Sequence, residues 1–521
     1  MEKIATDIYT FAELRNGGFT YVDKTDLLYA MASGEYGKQF FIARPRRFGK
    51  SLAVSTLRAL FEGRRELFAG LAVEPKWDWS KKWPVLHLDM GTMLYDTVEE
   101  LKSALKSYFR AQAAEFALTI NEGDTLPAIF RDLIHAAAAK SADGRCVVLI
   151  DEYDKPLLKA LNTPDVIKFR DFFKSFYGVV KYEESKQRFT FITGVSKFSK
   201  VSIFSDLNNL NDWTMDANAA TLFGYTHDEV RRFFPESIHA LAEANGKTDD
   251  ATFAEIVRWY DGYRFHHSAK PVINPVSLGQ CFQKREFANY WSKTAVPTFL
   301  VEILKKHPLD FSSVDVTDDR LEAYEPDNPD ITTLLYQTGY LTIKGFRQMA
   351  SVRKYDLGFP NMEVENSFVT KLVPAYAGLE QARAESAQLA AAEALYAHDT
   401  AGFVKALRSF FANIQYDLTD RQNEQMWQTI VYVVLKAIGV AVTAEVKTND
   451  GRIDMVVDLP NDIYIVEFKL DRPAAEAIEQ IKGRDYAGKF ATSKKRITLV
   501  GISFSAAKRT IVEELVEELP R

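Results

Sequence analysis

Between about residues 38 and 195, four short apolar runs recur: Phe40–Ala43, Val85–Leu88, Cys146–Ile150 and Phe189–Thr193. They are nearly continuous rather than alternating, as expected of parallel strands covered on both faces. The long helical patterns between them fit βαβ crossovers. Residues 226–385 read as mainly helical, opening on a capping box with Thr226 as N-cap and Glu229 at N3. An Ala-, Glu- and Gln-rich stretch from about 378 to 398 is helical by propensity and marks a domain junction. Beyond it the pattern predicts a helix near 421–438, strands near 441–447, 452–458 and 462–469, a helix near 474–490 and a strand near 496–503. The expected division is 1–225, 226–385 and 386–521: an α/β parallel-sheet domain, a helical middle or lid region, and a second α/β domain.

Composition narrows the class. At 521 residues the chain exceeds one ordinary domain, and 47% hydrophobic residues supply ample core. Its net charge of −6 means that any grip on nucleic acid must come from local basic surface. The two cysteines, Cys146 and Cys281, are far apart and in no metal-ligand spacing, which points to a reducing compartment. No run of about 18 apolar residues could span a bilayer and the N-terminus lacks the apolar core of a signal peptide, so the expectation is a cytoplasmic protein with no membrane partner.

The first candidate chemistry follows the first strand. In Arg44-Pro-Arg46-Arg47-Phe48-Gly49-Lys50-Ser51-Leu52, the Gly-Lys-Ser end matches a phosphate-binding loop opening a helix. Backbone amides there face an anion, Lys50 reaches the β and γ phosphates of ATP, and Ser51 ligates magnesium. Arg44 stands where the general pattern has glycine. The apolar strand ending in Asp151-Glu152 supplies a carboxylate for the magnesium shell (Asp151) and one to polarise the attacking water (Glu152). Thr193 and Ser196, at the end of a neighbouring strand, are candidates to sense the γ-phosphate or simply turn residues. Arg46 and Arg47 contact phosphate or nucleic acid, or form salt bridges to acids such as Asp23 or Asp154.

These segments, with Tyr21-Val-Asp23-Lys24-Thr25, Ile150-Asp-Glu-Tyr-Asp154, Thr193-Gly-Val-Ser196 and Ile203–Asn209, make roughly residues 3–225 resemble the bacterial AAA-ATPase-like proteins. In that family Arg-Pro-Arg-Arg-Phe-Gly-Lys-Ser is the usual loop, so the resemblance implies that Arg44 is a family trait. It also implies an AAA-like sheet binding ATP and Mg2+. Trp259-Tyr-Asp-Gly-Tyr263 and Asn274-Pro-Val-Ser277 resemble the same pattern; an aromatic cluster of this kind is more often core than a base-stacking platform. His266-His267 has no partner at ligand spacing and reads as surface.

The second candidate site lies in Gly451-Arg-Ile-Asp454 and Glu467-Phe-Lys469. Phosphodiester cleavage needs a divalent metal on oxygen ligands, an activated water and positive charge on the phosphorane. A hairpin turning near Pro460–Asp462 would bring Asp454 beside Glu467. Glu467 and Lys469, two apart on a strand, share a face. The alternative, a solvated acid–lysine pair, is disfavoured by the apolar run Ile463–Val466 that the pair terminates. Gln480 follows on the next helix. The order of elements resembles the PD-(D/E)XK nuclease fold in the variant attached to AAA-ATPase-like modules. That resemblance implies Asp454 and Glu467 as metal ligands, Lys469 as catalytic and Gln480 as assisting. Glu424 or Glu445 are candidates for an extra acid, and Lys482, Arg484, Lys494, Lys495 and Arg496 for contacts to a nucleic-acid backbone.

The expected function is an ATP-hydrolysing protein coupled to a magnesium-dependent nuclease, with DNA ranked ahead of RNA and a homo-oligomer compatible with the sequence. The competing readings are a nucleotide-switched protein that binds nucleic acid or a partner without cutting, and an ATPase acting on protein clients.

Overall fold

The computed structural model describes residues 2–161, 163–198, 210–291, 314–326, 330–368, 381–411, 431–432, 435, 442–448, 451–508 and 510–519; the side chains of 322, 381–385, 443–448 and 451–452 lie outside that description. The chain divides into two compact units, Met1–Tyr290 with Asp315–Met362, and Trp291–Val314 with Glu363–Arg521.

In the first unit the four apolar runs form strands: β1 (Gln39–Ala43), β2 (Val85–Asp89), β3 (Cys146–Asp151) and β4 (Gln187–Gly194). A two-residue strand, β5 (Asn211–Asp212), completes a parallel sheet of order β2-β3-β4-β1-β5. Strands β1 and β3 are buried throughout, whereas β2 alternates because it is an edge strand with one face half open. The Lys50–Phe61 and Leu126–Ala138 helices lie against the sheet. Phe109, Phe130 and Phe176, one from each of three helices, stack at 5.2–6.0 Å and join those helices into one layer. Each such buried ring removes enough apolar surface from water to be worth on the order of 2–3 kcal/mol. Cys146 and Cys281 are both fully buried and neither is in a disulfide, and burial pushes the Cys146 thiol up to about 12.

Helices His227–Phe233, Pro235–Ala244, Asp249–Tyr260 and Pro275–Lys284 follow, sharing a core of Val230, Phe234, Leu241, Ile256 and Leu278. The Thr226–Glu229 capping box forms as read from sequence. The middle region also carries strands, which the sequence did not announce: β6 (Val314–Thr317), β7 (Thr342–Met349) and β8 (Val352–Gly358), in order β6-β8-β7. The Trp259–Tyr263 cluster is largely core, with Tyr260 and Tyr263 buried. Gly262 sits at φ 108°, where a Cβ would come 2.1 Å from the Pro360 carbonyl oxygen, so only glycine fits. His266 and His267 are half-buried rather than surface residues; the His267 ring stacks on Phe346 at 3.9 Å.

The second unit holds β9 (Val442–Thr448), β10 (Gly451–Asp458), β11 (Asp462–Leu470), β12 (Arg496–Ser505) and β13 (Thr510–Glu518), in order β13-β12-β11-β10-β9. Only β11 and β12 run parallel; the Ala474–Gly483 helix makes the crossover between them. That helix is shorter than predicted and ends at Gly483, followed by Asp485 at φ 44° and a short 3₁₀ turn at Tyr486–Phe490. The predicted helix near 421–438 and the candidate Glu424 fall outside the described residues except for 431, 432 and 435. No described helix is long and apolar enough to cross a membrane.

Candidate active sites

Parallel strands gather their C-terminal ends at one sheet edge, where loops can converge. The loop after β1 turns through Arg47 (φ 68°) and Gly49 (φ 92°) into the Lys50–Phe61 helix, aiming its amides toward a cavity of about 520 Å³. That volume suits a nucleoside triphosphate. Arg46 to Leu52 all line it, together with Asp89, Glu152 and Lys155. An apolar side is supplied by Ile8, Leu222, Phe223 and Val276.

Arg44 is almost wholly buried and serves the scaffold. Its guanidinium donates to the carbonyls of Ala43 (2.8 Å), Thr214 (2.7 Å) and Ala219 (3.0 Å) and lies over Phe265 at 4.2 Å. Burial lowers it to about 10, still charged at neutral pH. Replacing Arg44 with the glycine of the general pattern is therefore expected to destabilise this unit by about 3–5 kcal/mol, because three buried carbonyls lose a charged donor. Thermal unfolding of Arg44→Gly against wild type checks this.

Lys50 is buried and donates to the Arg44 (2.8 Å) and Pro45 (2.9 Å) carbonyls. Burial lowers it to about 8, opposed by Asp151, Asp154 and Glu152. Asp151 is hydrogen-bonded to Ser51, and its burial raises its carboxyl above the usual range. A hydroxyl and a carboxylate in contact beside a phosphate loop are hard oxygen donors of the kind magnesium takes, so Ser51 and Asp151 fit that ion. Phe48 is buried and packs edge-on against Tyr263 at 4.7 Å and Phe265 at 5.4 Å.

Glu152 holds a left-handed backbone (φ 50°) and its side chain reaches toward β2. There it meets Asp89, which the sequence reading did not single out. Asp89 pairs in register with Asp151, and burial first, then Asp151 and Glu152, raise it to about 6. The sequence signal was its position directly after the apolar run Val85–Leu88. A Cβ on Gly91 would stand 2.6 Å from Glu152 Oε2 and 2.8 Å from Asp89 Oδ1. Gly91→Ala is expected to displace the Glu152 tip and slow hydrolysis at least about 10-fold while nucleotide affinity changes less than about 3-fold, read by phosphate release against fluorescent-nucleotide binding.

Thr193 donates its hydroxyl to the Ile42 carbonyl at 2.7 Å, fastening β4 to β1, so any phosphate contact would have to replace that bond. Asp154 is buried and accepts from the amides of Val195 (3.0 Å) and Ser196 (2.6 Å). Asp23 is likewise occupied, by Thr25 and the Ala72 amide. Neither pairs with Arg46 or Arg47. Arg47 donates to the Tyr290 carbonyl at 3.1 Å, while Arg46 is exposed and makes no ion pair among the described residues.

In the second unit, the β10–β11 hairpin turns at Leu459–Asp462 and sets Met455 opposite Val466. One step further along lie Asp454 and Glu467. The Phe468 amide donates to Asp454 Oδ2 at 2.8 Å, and the Asp454 amide to Glu467 Oε2 at 3.3 Å. Lys469 reaches Glu467 Oε1 (3.5 Å), the Phe468 carbonyl (3.1 Å) and Gln480 Oε1 (2.9 Å). The Gln480 amide also donates to Glu467. All four sequence candidates thus meet in one cluster. Glu467 and Lys469 are about 95% buried or more. Burial first, and then the charge of Asp454, pushes the Glu467 carboxyl up to about 8 against the pull of Lys469. Two carboxylates and a backbone carbonyl form a hard-oxygen set short of positive charge, which fits magnesium. Among the described residues no third acid joins them, and the Glu445 side chain lies outside the description. Of the basic candidates, Lys482, Lys495 and Arg496 are each paired, with Glu517 (2.5 Å), Asp458 (2.5 Å) and Asp462 (2.8 Å).

A phosphate-loop parallel sheet and a sheet carrying an Asp…Glu-x-Lys cluster define an AAA-like ATPase module joined to a nuclease-type domain. Comparison with known proteins agrees: residues 5–204 match the family described as predicted AAA-ATPase, and residues 422–514 the PD-(D/E)XK nuclease superfamily. Over 532 aligned residues, 99% of each chain, the protein is 36% identical to an "uncharacterized protein in vnfD 5′ region" of Azotobacter chroococcum mcd 1. The chain belongs to the family of AAA-ATPase-like proteins that carry a C-terminal PD-(D/E)XK nuclease superfamily domain.

Proposed function

We propose that the protein binds and hydrolyses ATP at the Lys50 site and cleaves nucleic-acid phosphodiester bonds at the Asp454–Glu467–Lys469–Gln480 site, the first reaction licensing the second. The observation that carries the reading is the second cluster: four side chains spread over 27 positions meet in a largely buried site around one unbalanced carboxylate pair.

In the ATP reaction, the loop amides and the N-terminus of the Lys50–Phe61 helix receive the phosphates. Lys50 exchanges the Arg44 and Pro45 carbonyls for β- and γ-phosphate oxygens. Ser51 and Asp151 are the residues that would hold magnesium, and Glu152 orients the attacking water and draws on its proton. Asp89, beside it, keeps the Glu152 tip in a polar surrounding. At the second site, Asp454, Glu467 and the Phe468 carbonyl are the groups that would hold magnesium. A bound ion would supply Lewis-acid charge for the phosphate and its attacking water. Lys469 positions the water and balances the developing negative charge, and Gln480 fixes Lys469 and Glu467 relative to each other.

The test is cleavage of end-labelled DNA and RNA by the whole chain, with magnesium or manganese, with and without ATP. Cleavage that needs metal and is raised by ATP supports the reading. Binding without cleavage by wild type under every condition would sink it in favour of a nucleotide-switched binding protein.

A further inference from the structure

The helix that carries Gln480 ends one turn later at Gly483 and is capped by Arg484, whose amide donates to the Gln480 carbonyl at 3.1 Å. Residues four apart on a helix lie on the same face, so Arg484 follows Gln480 along the side of the helix that faces the carboxylate pair. Its side chain is exposed, yet its guanidinium is held. Nη1 donates to the Tyr486 hydroxyl at 3.1 Å. Tyr486 itself is fully buried, its ring set among Ile453, Ile465, Ile478 and Ile481. A buried ring thus presents one hydroxyl that orients the guanidinium of Arg484.

Arg484 differs from its ion-paired basic neighbours in what it faces. Lys482, Lys495 and Arg496 are each neutralised by a carboxylate of their own, and Arg472 pairs with Glu476. Arg484 has no carboxylate partner in contact among the described residues. The acids whose charge it feels are Glu467 and Asp454, behind the Tyr486 hydroxyl in strength. A guanidinium near a metal-holding carboxylate pair, oriented but not consumed by an ion pair, is suited to a phosphate oxygen, which it can grip through two donors.

We propose that Arg484 is a substrate-positioning residue that holds a backbone phosphate of the nucleic acid next to the bond being cut, with Tyr486 orienting its guanidinium. This rests on the nuclease reading of the Asp454–Glu467 site. One phosphate contact releases counterions from the nucleic acid. Its loss therefore lowers the slope of log affinity against log salt by about 0.7 on single strands and 0.9 on duplex DNA.

The experiment uses the whole chain and labelled DNA duplex, single-stranded DNA and RNA as separate arms. Affinity is measured by fluorescence anisotropy over a potassium chloride series in an Asp454→Asn background, with and without Arg484→Ala. Cleavage is measured in the otherwise wild-type chain. Arg484→Ala is expected to weaken binding roughly three- to ten-fold, to lower the salt slope by roughly one phosphate contact and to raise KM more than it lowers kcat. Arg484→Lys should retain the salt slope, since it keeps the charge. Tyr486→Phe should also retain it while raising KM, because it removes only the restraint. An unchanged slope and KM in Arg484→Ala, or no affinity of the chain for any of the three substrates, overturns the proposal. Wild type that binds with the Arg484-dependent slope but never cuts overturns the nuclease reading instead and leaves Arg484 as a phosphate contact.

Discussion

Lys50→Ala is expected to lower ATP hydrolysis by at least about 100-fold, the scale for removing a preorganised charge from a phosphoryl-transfer site. The side chain is buried, and its alternative partners are two carbonyls of its own loop. Lys24 and Lys155 also line the cavity, but neither belongs to the loop that opens the Lys50–Phe61 helix. The same truncation strips those carbonyls of a donor, at a cost of about 1–3 kcal/mol. Phosphate release is therefore to be read together with a melting curve. A stably folded Lys50→Ala protein that hydrolyses ATP at the wild-type rate would refute the site. If ATP licenses cutting, the variant should also lose the ATP-stimulated part of cleavage and keep the basal part.

The second large effect belongs to the carboxylate pair. Asp454→Asn keeps an acceptor for the Phe468 amide but removes a charge, and is expected to reduce metal-dependent cleavage by at least about 100-fold. Lys469→Met should do the same, because it removes the ammonium in contact with Glu467 and Gln480. The pH dependence follows from Glu467. Its carboxyl is raised from 4.5 to about 8, so the folded protein keeps a proton that the unfolded chain gives up. The stability it brings is complete below about pH 4.5 and is lost as pH rises through about 8. A metal ion held by Asp454 and Glu467 would take the place of that proton. Metal affinity should therefore climb between about pH 6 and 8, and added magnesium or manganese should raise the melting temperature most at the upper end. Thermal unfolding across that range, with and without metal, checks the sign.

Much of both sites was legible because their residues terminate apolar runs. Periodicity of two places Glu467 and Lys469 on one face of β11, and a single hairpin brings Asp454 alongside. Arg44 was legible as an exception to a pattern but not as a support, since two of its partner carbonyls lie about 170 residues away. Asp89 escaped because only the pairing of β2 with β3 sets it beside Asp151. Strand β13 has no strand pattern: Ile511, Val512, Leu515 and Val516 fall at helical spacing among glutamates. Pairing with β12 overrides that local preference. The β7–β8 hairpin was hidden in the same way by its polar, exposed far end.

The two sealed thiols give the protein a practical property. With Cys146 and Cys281 inside the fold and the Cys146 thiol held protonated, maleimide chemistry has little to attack on the native surface. One cysteine introduced into each compact unit, at exposed positions such as Lys140 and Lys494, would carry a donor and an acceptor dye on an almost silent background. Energy transfer between them would follow, in real time, whether nucleotide turnover changes the distance between the two units.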